Sequence, residues 1–352
     1  MKARFGYPSP CLLPRPGTHR ASTMRRATKK CPKGWYPVKP EPSSLPASLR
    51  EPHTDLVAAW DWEFDAEFLS ILSEECARAG IRFRSVARDD IVTLADGLKS
   101  RAMTLGVFLD RTAPDEEQNQ KLLAAVLESG AQIVNHPDHV RRAADKATMH
   151  LELLTKGIDV PYTIIVSPYS ERKEIHLSLT ELSRLGRPFI IKPANTTGGG
   201  TGVIMGAETL KEVIESRQHH KRDKYLLQER IVPAVVEGKR AWFRVFHVCG
   251  LILPCWWDDL THIYTAFEEG QMDRCGLKPL LTITKAIAEV CRLDFFSTEI
   301  ALAESGRFTP VDYVNEICDM RVQSIHGDGV PDGVVRMICA RLAAFAALHT
   351  HG

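Results

Sequence analysis

The stretch Pro188–Met205, PFIIKPANTTGGGTGVIM, places one lysine, three threonines and four glycines within a few residues of one another. An apolar strand delivers Lys192, and a loop with Gly198, Gly199, Gly200 and Gly202 follows. Glycines let backbone N–H groups turn inward and approach phosphate oxygens with no Cβ in the way. Thr196, Thr197 and Thr201 add hydroxyl donors, and lysine adds a point charge for the same oxygens. A plain hairpin turn needs fewer glycines, each of which costs backbone entropy, so the spacing points to a polyphosphate. No Lys-Ser or Lys-Thr follows the last glycine, which excludes a Walker loop. A strand rather than a helix follows, which excludes the dinucleotide fingerprint. A glycine loop between two strands acts as a lid over phosphates, as in kinases, but the HRD and DFG elements of kinases are absent.

The elements that must carry this loop alternate. The run DLVAAW reads as a strand, and DAEFLSILSEECARAG as a helix with Phe68, Leu69, Leu72 and Cys76 on one face and Gly80 as its stop. IRFRSVA and part of RAMTLGVFLDR read as strands, DEEQNQKLLAAVLESG as a helix and AQIVNHP as a strand. This alternation predicts an α/β lobe with a parallel sheet over residues 53–136. A second lobe, 137–224, is expected to hold one helix, HVRRAADKATMHLELLTKG, and then the strand DVPYTIIV, a helix around SLTELSRLG and the strand PFIIKPA. A third, 225–352, opens with YLLQERIV. It continues with two antiparallel strands turning at Cys249-Gly250, the helix LTITKAIAEVCRLD, the paired strands STEIALA and FTPVDYVN, and a closing helix.

Composition narrows the class. The chain has 352 residues, 44% hydrophobic and 25% charged, which suits a soluble protein of two or three packed lobes. No apolar run approaches the ~20 residues of a membrane helix, and no secretory signal is evident at the start. A cytoplasmic location with no membrane partner is the expectation. Nine scattered cysteines form no CxxC pair, so neither a zinc site nor a disulfide framework is indicated. Residues 1–50 hold eleven Lys/Arg against one acid, Glu41, and nine of the 21 prolines. Residues 1–52 read as a disordered basic tail; a nucleic-acid arm, a transit peptide or a start codon upstream of the true one are the other readings. The remainder has 34 basic and 43 acidic residues, an acidity that argues against nucleic-acid binding by the folded part.

Four motifs, ADKATMHLELLTKGIDVPYT, IIKPANTTGGGTGV, LLQERIV and VDYVN, occur in this order. Together they resemble the ATP-grasp superfamily of carboxylate–amine and carboxylate–thiol ligases from about residue 54 to 340. The resemblance implies an ATP-grasp fold, two α+β subdomains gripping ATP, preceded by an α/β lobe that helps to bind substrate. It implies that Lys146 and Lys192 contact phosphates, with Thr197, Gly198, Gly199, Gly200, Thr201 and Gly202 as the lid. Gln228, Glu229 and Ile231 fall in the hinge that reads the adenine edge, and Glu237 is the candidate for the ribose hydroxyls. On an alternative alignment Trp242 stands where many relatives have an acid.

Magnesium, with manganese as the alternative, requires hard oxygen ligands, and the resemblance assigns these to Glu299, Asp312 and Asn315. Relatives carry an acid two residues before this asparagine, where the present chain has Tyr313. Either a bulge realigns Asp312 or Glu316 takes its place. The implied reaction is attack of a small carboxylate on the γ-phosphate of ATP, giving an acylphosphate that an amine captures. Arg244 and Arg321 are the candidates for steadying the transferred group. Trp256, Trp257 and His262 form a candidate substrate loop, His326 lies near the same opening, and Asp110 or Arg111 is a weaker candidate from the first lobe. An ATP-grasp kinase acting on a hydroxyl and a nucleotide-binding protein without turnover are the rival functions. A homo-oligomer is compatible with all three.

Overall fold

The computed structural model describes residues 53–114, 116–195 and 201–349. The expected tail and the loop residues Thr196, Thr197, Gly198, Gly199 and Gly200 lie outside the described residues.

The first sheet is built from β1 (His53–Trp60), α1 (Ala66–Arg78), β2 (Phe83–Ala87), α2 (Ile91–Lys99), β3 (Thr104–Arg111), α3 (Glu117–Ser129) and β4 (Gln132–Val134). Its order is β2-β1-β3-β4 and every pairing is parallel, as the alternation predicts. Leu56, Val57, Ala58 and Ala59 are all buried, which suits a central parallel strand covered on both faces. Helix α2 is an element the sequence reading omits. Its signal was available in Ile91, Leu94, Ala95 and Leu98, which repeat at helical spacing and are buried together.

The second sheet follows α4 (Pro137–Ala144) and α5 (Lys146–Thr155), and comprises β5 (Thr163–Val166), α6 (Leu179–Leu185), β6 (Phe189–Pro193), β7 (Ile204–Ala207), α7 (Leu210–Arg217) and β8 (Tyr225–Glu229). The strand order is β5-β8-β6-β7, all antiparallel. The single helix expected through Gly157 is instead two. Asp145 is extended (φ −75°, ψ 98°), and its carboxylate accepts from the N–H groups of Ala147 and Thr148. An aspartate that caps the next turn competes with helix continuation. Lys146 therefore opens a helix, and its own N–H donates to the Ala194 carbonyl at 3.0 Å. That bond ties the start of α5 to the end of β6.

The third part holds a ribbon of β9 (Val235–Val236) and β10 (Lys239–Arg240). Then come β11 (Trp242–Val248), β12 (Leu251–Trp257), β13 (Tyr264–Ala266), α8 (Gln271–Arg274), α9 (Pro279–Cys291), β14 (Phe295–Leu302), β15 (Phe308–Asn315) and α10 (Asp332–His349). The five strands order as β13-β12-β11-β14-β15, antiparallel throughout. The β11–β12 turn falls at Cys249-Gly250, where both residues have positive φ (45° and 88°). Helix α10 packs its Val335, Ile338, Cys339 and Leu342 into a core shared with Phe68 and Leu72 of α1. On the other side, α9 sets Ile287, Val290 and Cys291 against Met149 and Leu153 of α5. The first and second sets of elements are thereby each packed on the third.

Candidate active site

Alternation along β6 decides where Lys192 points. Phe189 and Ile191 enter the core of the second sheet with Tyr225 and Leu227, so Ile190 and Lys192 face the other way. Gln228 shares that front face, because it pairs directly with Ile190. The Lys192 stem is buried, and its ammonium donates to the Val311 carbonyl at 3.0 Å while lying 5.5 Å from the Tyr313 ring centroid. Lys146 reaches the same place from the start of α5, its ammonium 2.6 Å from an Asp312 oxygen. The two lysines come from separate elements and meet at β15.

Strand β15 explains how Asp312 and Asn315 share a face although three residues apart. Asn315 pairs with Ser297 and Asp312 with Glu299, so β15 spends one residue more than β14 between these two pairings. A further irregularity follows at once, between Glu299 and Ile300, and the carbonyl of Val311 there is the one that accepts from Lys192. The strand therefore bulges at Asp312, and Glu316 lines the same cleft. Glu299 is set opposite Arg244 by the β11–β14 register. One Glu299 oxygen accepts from Arg244 at 2.6 Å and the other from the Trp242 indole N–H at 3.2 Å.

These groups line a cleft of about 750 Å³, together with Asn195, Gln228, Trp257, Glu316 and Arg321. Burial would raise the Asp312 carboxyl, but Lys146 and Lys192 outweigh it and hold Asp312 down at about 2. Burial would lower Lys146, and Asp312 more than offsets it, so Lys146 stays firmly protonated. Lys192 is different: burial and the neighbouring Lys146 bring it down to about 8 despite Asp312. Burial also lifts Glu299 and Glu316 above the ordinary carboxylate range. Among the described residues no three His, Cys, Asp or Glu side chains converge on a point that could hold a metal. Glu299, Asp312 and Asn315 line one cleft, with Glu299 and Asp312 paired across β14 and β15. That sparse oxygen set fits Mg²⁺, which takes one or two carboxylates and leaves its other positions to phosphate and water.

Other expected residues sit at varying distance from this centre. Arg321 lines the cleft, with its guanidinium held by Asp319 at 2.7 Å and Asp328 at 3.0 Å. Glu229 lies at the end of β8, where its N–H donates to the Tyr162 carbonyl and its carboxylate accepts from Tyr162 N and Arg307. Ile231 is buried in the large core. Glu237 is not brought to the cleft: its carboxylate accepts from Gln271 at 2.6 Å and pairs with Arg274. Gly202 has φ +75°, and a Cβ there would lie 3.3 Å from Pro193 Cγ, so the end of the lid requires glycine; Thr201 beside it is exposed.

Of the candidate substrate-loop residues, Trp256 and Trp257 are neighbours on β12 and project to opposite faces. Trp256 packs on Phe243 and Phe267, whereas Trp257 lines the cleft with the Arg244 guanidinium 4.8 Å from its ring centroid and His262 stacked at 5.1 Å. Arg111 is buried against Asp65 at 2.6 Å and also donates to the Cys318 carbonyl, while Asp110 accepts from Thr112. His326 packs edge-on against Phe64. One arrangement escaped the sequence reading: the Tyr313 hydroxyl bridges His150 Nδ1 at 2.7 Å and Gln228 Nε2 at 3.1 Å beneath Lys192. Burial, with Lys192 nearby, lowers His150 to about 4, so its ring is neutral. Tyr313 thus supports the floor of the site from the position where an acid was looked for.

No model of a known protein family matches the chain, and no curated protein matches it either. Solved structures do. A RimK domain ATP-grasp protein from Sphaerobacter thermophilus superposes with a TM-score of 0.57 at 19% identity, covering 82% of this chain and 98% of that one. The ATP-grasp ligase PsnB, complexed with a minimal precursor, Mg and ADP, gives 0.55 at 13% identity over 85% and 99%. The D-alanine–D-alanine ligase of Bacillus anthracis, complexed with ATP, gives 0.54 at 12% over 84% and 96%. The chain has the ATP-grasp fold.

Proposed function

We propose that the chain is an ATP- and Mg²⁺-dependent ligase that activates a small carboxylate as an acylphosphate for capture by an amine. The observation that carries this reading is the convergence of Lys146, Lys192, Arg244 and the Glu299–Asp312–Asn315 oxygens in one cleft. Two ammonium groups and a guanidinium suit a triphosphate, whose transfer depends on positioning and charge neutralisation rather than on covalent chemistry by the protein. Fold neighbours solved with ATP, or with Mg and ADP, add support for the nucleotide and the metal.

Lys146 and Lys192 bind and orient the phosphates. Glu299, Asp312 and Asn315 would hold the magnesium ion, which would supply neutralisation of phosphate charge. Arg244, steadied by Glu299 and Trp257, faces the transferred phosphoryl group. Arg321, braced by Asp319 and Asp328, is the second cation at the acceptor end. The nucleotide base is taken by the β8 hinge around Gln228, Glu229 and Ile231. A substrate carboxylate oxygen attacks the γ-phosphorus, and ADP leaves with the bonding pair of the broken P–O bond. The amine nitrogen then attacks the acyl carbon, the C–O bond to phosphate breaks, and inorganic phosphate leaves with that bonding pair and takes up the amine proton.

The test is ADP release from Mg·ATP across a panel of small acids, each with and without amines, with Lys192→Ala as control. A ligase releases inorganic phosphate only when acid and amine are both present; a kinase leaves a stable phosphate ester on one substrate. Full activity in Lys192→Ala contradicts the site assignment.

A further inference from the structure

The carboxylates assigned to the metal each carry a protein cation already. Lys146 Nζ lies 2.6 Å from Asp312, and Arg244 lies 2.6 Å from Glu299. Both pairs are largely shielded from solvent: side-chain exposure is 11% for Lys146 and 33% for Asp312, and 14% and 13% for Arg244 and Glu299. The same two cations are the ones that the proposed reaction directs at phosphate. A divalent ion on Asp312 and Glu299 would sit directly against them, and like charges at that range in a shielded cleft repel strongly.

We propose that Lys146 and Arg244 serve as exchangeable counter-ions, passing from carboxylate to phosphate when metal and nucleotide enter together. The inference rests on the nucleotide and metal assignment above and adds how the two are taken up. A metal ion alone must displace both cations, which would then stand unpaired beside it. A nucleotide alone must draw both cations away, leaving Asp312 and Glu299 next to its phosphates with only Lys192, itself directed at phosphate, near them. Each half-step leaves buried charge without a partner, an arrangement that is heavily penalised. Only the metal–nucleotide pair satisfies every charge: carboxylates to metal, lysine and arginine to phosphate. The two ligands are therefore positively coupled through residues of this chain, beyond any affinity they have for each other. Trp257 and Ser297 hold Arg244 in place during the exchange, since the guanidinium lies on the indole and its other arm donates to the Ser297 hydroxyl at 3.3 Å.

The test measures binding with Mn²⁺ as a spin probe and AMPPNP as the nucleotide, in the full chain and in Lys146→Met. Mn²⁺ is titrated alone, AMPPNP is titrated in EDTA, and the two are titrated together. In the unaltered chain Mn²⁺ alone should bind weakly. Lys146→Met frees Asp312 and should tighten Mn²⁺ alone by about tenfold or more, while weakening the Mn·AMPPNP pair by a similar factor. A lysine that merely supports the fold would weaken both or change neither. Unfolding in the presence and absence of Mn²⁺ guards against a folding defect, because the variant should gain more thermal stability from the ion than the parent does. Arg244→Gln should show the same opposed pair of changes. Mn²⁺ binding that is unchanged or weaker in a folded Lys146→Met protein overturns the inference. Failure of Mn·AMPPNP to bind the parent chain overturns the nucleotide assignment itself.

Discussion

Asp312 faces Glu299 across two antiparallel strands, although a strict ladder from the Ser297–Asn315 pair would set Tyr313 there instead. The extra residue in β15 turns Asp312 into the cleft, and Tyr313 is buried beneath it with its hydroxyl on His150. The same irregular stretch presents the Val311 carbonyl to Lys192. One local departure from pleat therefore sets both the Asp312 carboxylate in the cleft and the carbonyl on which the Lys192 ammonium rests.

The proposed function makes Asp312, and not Glu316, the metal acid, although both line the cleft. Asp312→Asn should weaken Mn²⁺ uptake in the presence of AMPPNP by at least about 100-fold, the upper end of what even outer-shell partners contribute. Glu316→Gln should change it by less than about tenfold. Spin-probe titration of the two variants decides between them.

Lys192 provides a pH signature. Its folded value near 8 means that above this pH a growing fraction is neutral. A bound triphosphate favours the charged form, so binding must draw a proton from solution in the window above pH 8 and little at pH 6. Affinity for Mg·AMPPNP should accordingly fall as pH rises through 8. Calorimetry in two buffers of different ionisation heat reads the proton uptake directly, and Lys192→Met should abolish it.

The pair Arg111–Asp65 ties the first sheet to the chain just beyond β15, through the Cys318 carbonyl. Arg111→Met leaves a buried carboxylate without its cation and should cost about 3–5 kcal/mol in urea unfolding. Burial already raises Asp65, with Arg111 opposing. A carboxyl with a raised folded value binds more protons folded than unfolded, so its contribution to stability falls as pH rises through that window. Without Arg111 the rise is larger, and the variant should regain stability on acidification from pH 7 to 5.

Gly329 supports Arg321. A Cβ at this position would lie 2.5 Å from the Arg321 carbonyl oxygen, a contact that backbone must move to relieve. Gly329→Ala should lose about 1–3 kcal/mol of stability and raise KM for the acceptor more than it lowers kcat, since Arg321 would be displaced from its Asp319–Asp328 brace.

Much of the fold was legible because hydrophobic period and glycine stops are local. The parallel character of the first sheet and the Cys249-Gly250 turn follow from such patterns. What escaped depends on competition or on long-range pairing. Asp145 could continue a helix or cap the next one, and only its bonds to Ala147 and Thr148 settle which. The bulge in β15 depends on which residue β14 chooses to face, which one strand alone does not specify. Helix α7 is absent from the sequence reading, although Thr209 and Glu212 form the capping box that marks its start. Glu237 was placed by alignment alone, and its partners Gln271 and Arg274 lie over thirty residues away in sequence.

The central claim is that one cleft clasps a polyphosphate between Lys146 and Lys192. Calorimetric titration of the intact chain and of Lys192→Ala with Mg·AMPPNP tests it most directly. The account predicts saturable one-to-one binding that weakens by about 10- to 100-fold on loss of a buried charged hydrogen-bonding group. Equal affinity in the two proteins, or no heat of binding in either, would contradict it.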